Sequence, residues 1–116
     1  MALLVKERLE RGIGLKNEGR YEEAMAEIRA VLEIEPVCAE AHRQLGLVYG
    51  YIGMLEEAIE ELTQAVNLDL QNVSARNDLA LTYTMLGMFD KAKAEFEAVL
   101  AIDPSNETAS SNLQFF

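Results

Sequence analysis

Cations are scarce in this chain. Ten Lys and Arg stand against twenty Asp and Glu over 116 residues, a formal net charge of −10. Nucleic-acid binding draws on clustered Lys and Arg that release counterions from phosphates, so this balance argues against it. It equally disfavours an anionic membrane surface. Cysteine is reduced to Cys38, which cannot form an intramolecular disulfide and ties nothing to an oxidising compartment. Long apolar runs are missing too. Leu45–Leu55 and Leu79–Phe89 are each eleven residues without a charge, where a bilayer helix needs about twenty. The apolar opening Met1–Val5 is too short for the core of a secretory leader and runs straight into Lys6, Glu7 and Arg8. These absences predict a cytoplasmic protein with no membrane insertion.

Catalytic constellations are also lacking. Cys38 and His42 stand four apart, a helical ligand spacing, but structural zinc takes four protein ligands and catalytic zinc three. No Glu-x-x-His pair is present for a carboxylate-bridged metal. The glycines end helices instead of opening a phosphate-binding loop after a strand. Glu40 lies near enough in sequence to orient His42, yet one histidine and one cysteine do not build a nucleophilic triad. Paired carboxylates are plentiful, but they fall on exposed faces where nothing raises a pKa. The expectation is no enzyme: no catalytic residue, no cofactor and no metal.

What is present is a repeat. Half the residues are hydrophobic, enough to form a core. Gly19, Gly53 and Gly87 are 34 residues apart, and each opens a similar phrase closed by Ala24, Ala58 or Ala92. A second phrase keeps the same period, from Leu32 to Pro36, Val66 to Leu70 and Leu100 to Pro104. The repeats therefore span 5–38, 39–72 and 73–106, and 107–116 opens a fourth unit or caps the third, all within one domain over 1–116.

Each repeat reads as two helices. Ala41, Leu45, Val48, Tyr49 and Ile52 follow the three-and-four spacing of an amphipathic helix, and Gly53 permits the left-handed turn that ends it. Ala58, Ile59, Leu62, Ala65 and Val66 line one face of the next helix, with Glu56, Glu57, Glu60 and Glu61 on an outer, solvated face. Pro36 and Pro104 cannot continue the preceding helices. No stretch alternates as a half-buried strand does. Small residues recur where two helices must approach closely: Gly12, Gly46 and Ala80 on the first helix, Ala24, Ala58 and Ala92 on the second. The class is all-α.

These residues resemble the tetratricopeptide repeat family, whose pattern runs W-x2-L-G-x2-Y, then A-x3-F, A and P. The middle repeat shows Leu45, Gly46, Tyr49, Ala58, Leu62 and Ala65, with His42 at the Trp place and Leu70 at the Pro place. The third shows Leu79, Ala80, Tyr83, Ala92, Phe96 and Pro104, with Arg76 for Trp and Val99 for Ala. The first keeps Gly12, Ala24 and Pro36 but carries Arg8, Arg11 and Leu15 at the Trp, Leu and Tyr places, which suits an end repeat. The resemblance implies a right-handed superhelix of antiparallel helix hairpins. It implies a concave wall built from the first helix of each repeat, and a function as a protein-interaction scaffold.

On that wall the resemblance places Leu9, Ile13 and Asn17, then Arg43, Gln44, Leu47 and Tyr51, then Asn77, Leu81 and Met85. Ile13, Leu47 and Leu81 form an apolar row, which Tyr51 and Met85 extend. Exposed apolar surface of this length suits a protein or peptide partner laid across it, such as an amphipathic helix. Family members that clamp chaperone tails carry Lys, Asn and Arg at defined wall positions. Here those places hold Leu9, Ile13, Gln44, Ser74 and Asp78, so the resemblance implies no carboxylate clamp.

Six of the ten cations lie in 5–38, among them Arg8 and Arg11. Asn106 can cap a last helix, with Ala109 and Leu113 in register and Phe115 and Phe116 beyond. Arg8, Arg11, Phe115 and Phe116 therefore support an alternative reading, a homo-oligomer joined through the ends of the array.

Overall fold

The computed structural model describes residues 3–116; the first two residues of the apolar opening lie outside them. Seven helices follow one another, with no strand among the described residues: α1 (Leu3–Asn17), α2 (Tyr21–Ile34), α3 (Ala39–Tyr51), α4 (Leu55–Leu68), α5 (Val73–Met85), α6 (Phe89–Ile102) and α7 (Glu107–Leu113). The period survives folding: α2, α4 and α6 begin at residues 21, 55 and 89, and α3, α5 and α7 at 39, 73 and 107. None of these helices is long and apolar enough to cross a membrane.

The same closure ends the first helix of each pair. Gly19, Gly53 and Gly87 have φ of 79°, 82° and 75°, the left-handed conformation that a side chain resists. Behind them the N–H groups of Arg20, Met54 and Met88 reach back to the carbonyls of Leu15, Tyr49 and Tyr83, each over 2.9 Å. The glycine N–H groups bond the carbonyls of Lys16, Gly50 and Thr84. This double closure satisfies carbonyls that a helix end leaves orphaned. At the next helix the carboxylates of Glu22 and Glu23, Glu56 and Glu57, or Asp90 occupy the first turn, where the peptide dipoles favour negative charge. Asn72 and Asn106 cap α5 and α7, accepting from the backbone N–H of Ala75 and Ala109 at 3.0 Å.

Within each hairpin the small residues let the helix axes close in. A Cβ on Gly12 would lie 2.8 Å from Ile28 Cγ1, and one on Gly46 would lie 2.8 Å from Leu62 Cγ and 3.2 Å from the Ala58 carbonyl. Ala24, Ala58, Ala80 and Ala92 are all buried opposite. The core runs the length of the stack, from Val5, Leu9, Ile28 and Val48 through Leu62 and Leu79 to Phe96, Val99 and Ala109.

The stacking makes an elongated body, 41 by 26 by 20 Å. Beyond packing each helix on the next, it brings α1 against α3 and α3 against α5, while no comparable contact joins α2 to α4 or α4 to α6. First helices crowd together and second helices splay. The wall made by α1, α3 and α5 is thus the inner side of an α-α superhelix.

Candidate functional site

The inner wall divides into two kinds of position. Leu9, Arg43 and Asn77 occupy the same place in successive repeats, and all three face the seam between neighbouring first helices. Leu9 is not on the wall at all: it is 6% exposed, in the core with Val5 and Ile28. Asn77 is buried and donates to Asn106 Oδ1 over 3.1 Å, tying α5 to the start of α7. Gln44, expected on the wall, is likewise buried and held by its neighbours. Ile13 is half-buried against the first core cluster, and Asn17 is exposed at the end of α1.

A polar chain crosses the three first helices along this seam. Lys16 Nζ donates to Gln44 Oε1 at 2.6 Å, and Gln44 Nε2 donates to Glu40 Oε1 at 2.7 Å. Arg43 Nη1 donates to the same Glu40 oxygen at 3.2 Å, while its Nε donates to Asp78 Oδ2 at 2.7 Å on α5. Two cations and two carboxylates cancel within one network. Burial, together with the Arg43 charge, lowers the Lys16 pKa. Burial also opposes the Arg43 charge, but the bond and attraction to Asp78 outweigh it and hold the guanidinium charged. Asp78 goes the other way: its burial pushes the carboxyl up, against the pull of Arg43.

Beside this seam the wall opens. Leu47, Tyr51, Leu81 and Met85 line a hollow of about 310 Å³ between α3 and α5, floored by Gly46, Gly50 and Leu62 and edged by Asp78 and Thr82. Leu47 is half-buried and Leu81 is 36% exposed, so neither is sealed by neighbours. Tyr51 and Met85 stand at the rim, 59% and 61% exposed, with the Tyr51 ring 5.7 Å from that of Tyr21. Of the ten residues expected on the wall, these four are the ones gathered around one cavity.

The remaining sequence expectations fare unevenly. Arg8 and Arg11 both turn to Glu27, at 3.5 and 3.4 Å, with the Arg11 side chain still 58% exposed. Phe116 packs back, its ring 6.1 Å from Phe89 and 6.2 Å from the buried Phe96, whereas Phe115 is 87% exposed. Glu40 does not orient His42. Glu61 does, with its Oε1 2.7 Å from Nδ1, while Nε2 lies 2.8 Å from the Pro36 carbonyl oxygen. Glu61 is therefore no purely solvated outer acid. Nothing in the wall reading pointed to this pairing. The one signal was a 34-residue recurrence: bases at 8, 42 and 76 with glutamates at 27, 61 and 95.

Residues 53–114 match a family model described as tetratricopeptide repeat, and residues 15–38 match a second of the same description. The chain belongs to the tetratricopeptide repeat family. No curated protein matches it. Among solved structures, this tetratricopeptide repeat chain is similar to the first such domain of Spaghetti (RPAP3) bound to the HSP90 peptide SRMEEVD. That match has a TM-score of 0.93 at 20% identity, covering 99% of this chain and 91% of that one. The second domain of human RPAP3, in complex with the HSP70 peptide SGPTIEEVD, matches at a TM-score of 0.90 and 29% identity, over 97% of this chain and 94% of that one. The second domain of Spaghetti, also bound to SRMEEVD, matches at 0.82 and 29%, over 87% and 94%.

Proposed function

We propose that this tetratricopeptide repeat chain is a non-catalytic interaction module that holds an apolar segment of a protein partner against its inner wall. The hollow framed by Leu47, Tyr51, Leu81 and Met85 carries this reading. It is open, it is apolar on most sides, and it sits where the first helices crowd together. Similar repeat domains that hold chaperone peptides support the general mode of action.

The wall's chemistry sets this chain apart from those domains. A free terminal carboxylate calls for unpaired cations, and here Lys16 is spent on Gln44 and Arg43 on Asp78 and Glu40. Asp78 would in addition repel an incoming carboxylate. The partner is bound through apolar side chains, with Tyr51 and Met85 as large and adaptable contacts.

Selection of displayed peptides on the wild-type chain alone, followed by measurement of their binding to Leu47→Asp, tests the reading. Enriched peptides should bind the wild type, lose binding to the variant, and exclude SGPTIEEVD. Enriched peptides that bind Leu47→Asp equally well, with its helicity unchanged by circular dichroism, would overturn it.

A further inference from the structure

The hollow between α3 and α5 is polar along one edge. Glycine, leucine, methionine and the Tyr51 ring make its floor and rim, while Asp78 and Thr82 stand one turn apart on α5. At about 310 Å³ it lies at the small end of ligand pockets, a size that seats one bulky side chain.

Both edge groups are acceptors. Asp78 Oδ2 receives the Arg43 Nε–H at 2.7 Å, and no donor among the described residues reaches Oδ1. The carboxylate is not sealed, since its side chain is 19% exposed. Burial pushes the carboxyl up, as it does for a carboxylate short of donors. Thr82 spends its hydroxyl proton on the Asp78 carbonyl oxygen at 2.8 Å, so it has only lone pairs left to offer. The one side-chain donor in the lining, the Tyr51 hydroxyl, belongs to a residue at the exposed rim.

That edge decides between occupants. A wholly apolar side chain would cover Asp78 without giving it a partner, and a buried acceptor left unpaired is costly. A carboxylate would face Asp78 itself. A cation finds no net charge to answer, because Lys16 and Arg43 already balance Glu40 and Asp78 across the seam. What fits is a neutral side chain with a broad apolar body and a hydrogen to give. Tryptophan has both: its indole donates through Nε1 and accepts nothing, whereas a tyrosine hydroxyl or an amide sets lone pairs against lone pairs.

We propose that this hollow seats a tryptophan side chain of the partner, and that Asp78 is the specificity-determining residue, taking the indole N–H on Oδ1. This rests on the inner-wall reading above and adds to it the anchor's identity and the group that selects it. Gly46 and Gly50 keep side chains out of the floor, which leaves it open to a flat ring, and Met85 supplies a sulfur at the rim for contact with an aromatic edge.

The probes are short glycine–serine peptides, capped at both ends, that differ only at a central tryptophan, 1-methyltryptophan, leucine or lysine. They are titrated into the nitrogen-15-labelled chain and followed by NMR. Tryptophan should shift the amides of Leu47, Leu81 and Met85 and bind roughly tenfold more tightly than 1-methyltryptophan, which keeps the ring and lacks the hydrogen. Asp78→Asn, which brings an amide donor to the edge, should erase that difference, and Leu47→Asp should abolish binding of both. The methylated probe makes the comparison on the wild-type chain alone, so it decides the matter even if Asp78→Asn fails to fold. Equal binding of the two tryptophan probes, a difference that persists in folded Asp78→Asn, or tighter binding of the leucine or lysine probe overturns the tryptophan seat. If displayed peptides still depend on Leu47 in any of those cases, or when no probe binds at all, the seat falls and the wall reading stands. Tryptophan binding indifferent to Leu47→Asp overturns both.

Discussion

His42 and Glu61 join the two helices of the middle hairpin through one short bond, 2.7 Å from Nδ1 to Oε1. The same bond recurs one repeat later as Arg76 Nη1 to Glu95 Oε1 at 2.9 Å, while one repeat earlier it loosens to an ion pair, Arg8 Nη1 to Glu27 Oε2 at 3.5 Å. In the family pattern a tryptophan fills this place; here a base on the first helix and an acid on the second fix the register of each hairpin. His42 and Arg76 also cap the loop before their own helix, on the carbonyls of Pro36 and Leu70.

The three pairs should differ in strength because they differ in burial. Arg76 and Glu95 are 16% and 22% exposed, so Arg76→Ala leaves a half-buried acid and an orphaned carbonyl and should cost about 1.5–3 kcal/mol. Arg8, at 36% exposure and a longer distance, should matter by less than about 1 kcal/mol. Urea unfolding of the two variants, with a double-mutant cycle on Arg76 and Glu95, measures the order.

Two helical glycines should respond in opposite directions to the same substitution. Gly46→Ala drives a methyl into Leu62 and the Ala58 carbonyl and should destabilise by about 1–3 kcal/mol. Ala58→Leu overpacks the same contact from the other side and should cost a similar amount. Gly50 has nothing within 4 Å of its missing Cβ, so Gly50→Ala should stabilise α3 by about 0.5–1 kcal/mol. Thermal melts of the three proteins separate these outcomes.

Asp78 makes stability depend on pH in the less usual direction. Burial holds its folded pKa above the ordinary carboxylate value, so the native state keeps a proton that the unfolded chain has released. This group alone therefore makes stability fall as pH rises from the ordinary value through the folded one, with the full cost present above that window. The attraction of Arg43 limits the shift, and the Glu40 charge adds to it. In Arg43→Met the Asp78 pKa should climb further, as followed by carboxyl carbon NMR.

Asn106 should be worth more than its equivalent Asn72. Both cap a helix, a role whose loss costs about 1 kcal/mol. Asn106 Oδ1 also accepts from the buried Asn77, whose own Oδ1 has no partner among the described residues. Asn106→Ala leaves that second buried amide group unpaired, so chemical denaturation should show a larger loss than Asn72→Ala.

The fold was legible because its signals are local. The three glycines mark where the chain must turn left-handed, and their φ values follow from sterics that no distant residue changes. Gly46 facing Ala58 and Leu62 could be read from the period, since both helices of a hairpin lie within one repeat. The candidate site was legible only in part. Leu47, Tyr51, Leu81 and Met85 surround one hollow, but Leu9, Gln44 and Asn77 shared the wall register and went into the seam. Their place on the first helix was correct; Leu9 is covered in the first core cluster, Gln44 is held by Lys16 of the preceding first helix, and Asn77 by Asn106 at the start of α7.

By itself the sequence determined the 34-residue period, the paired helices, their caps and turns, and an acidic chain poor in free cations. Those features rest on backbone sterics, dipoles and spacing within a few turns. Only the tertiary structure decided that first helices press together while second helices splay. It also decided that the seam consumes the cations of Lys16 and Arg43, and that Phe116 packs against Phe89 and Phe96. The physical reason is that helical periodicity assigns a side chain to a face, whereas burial and charge pairing depend on how closely another helix, distant in sequence, comes to that face.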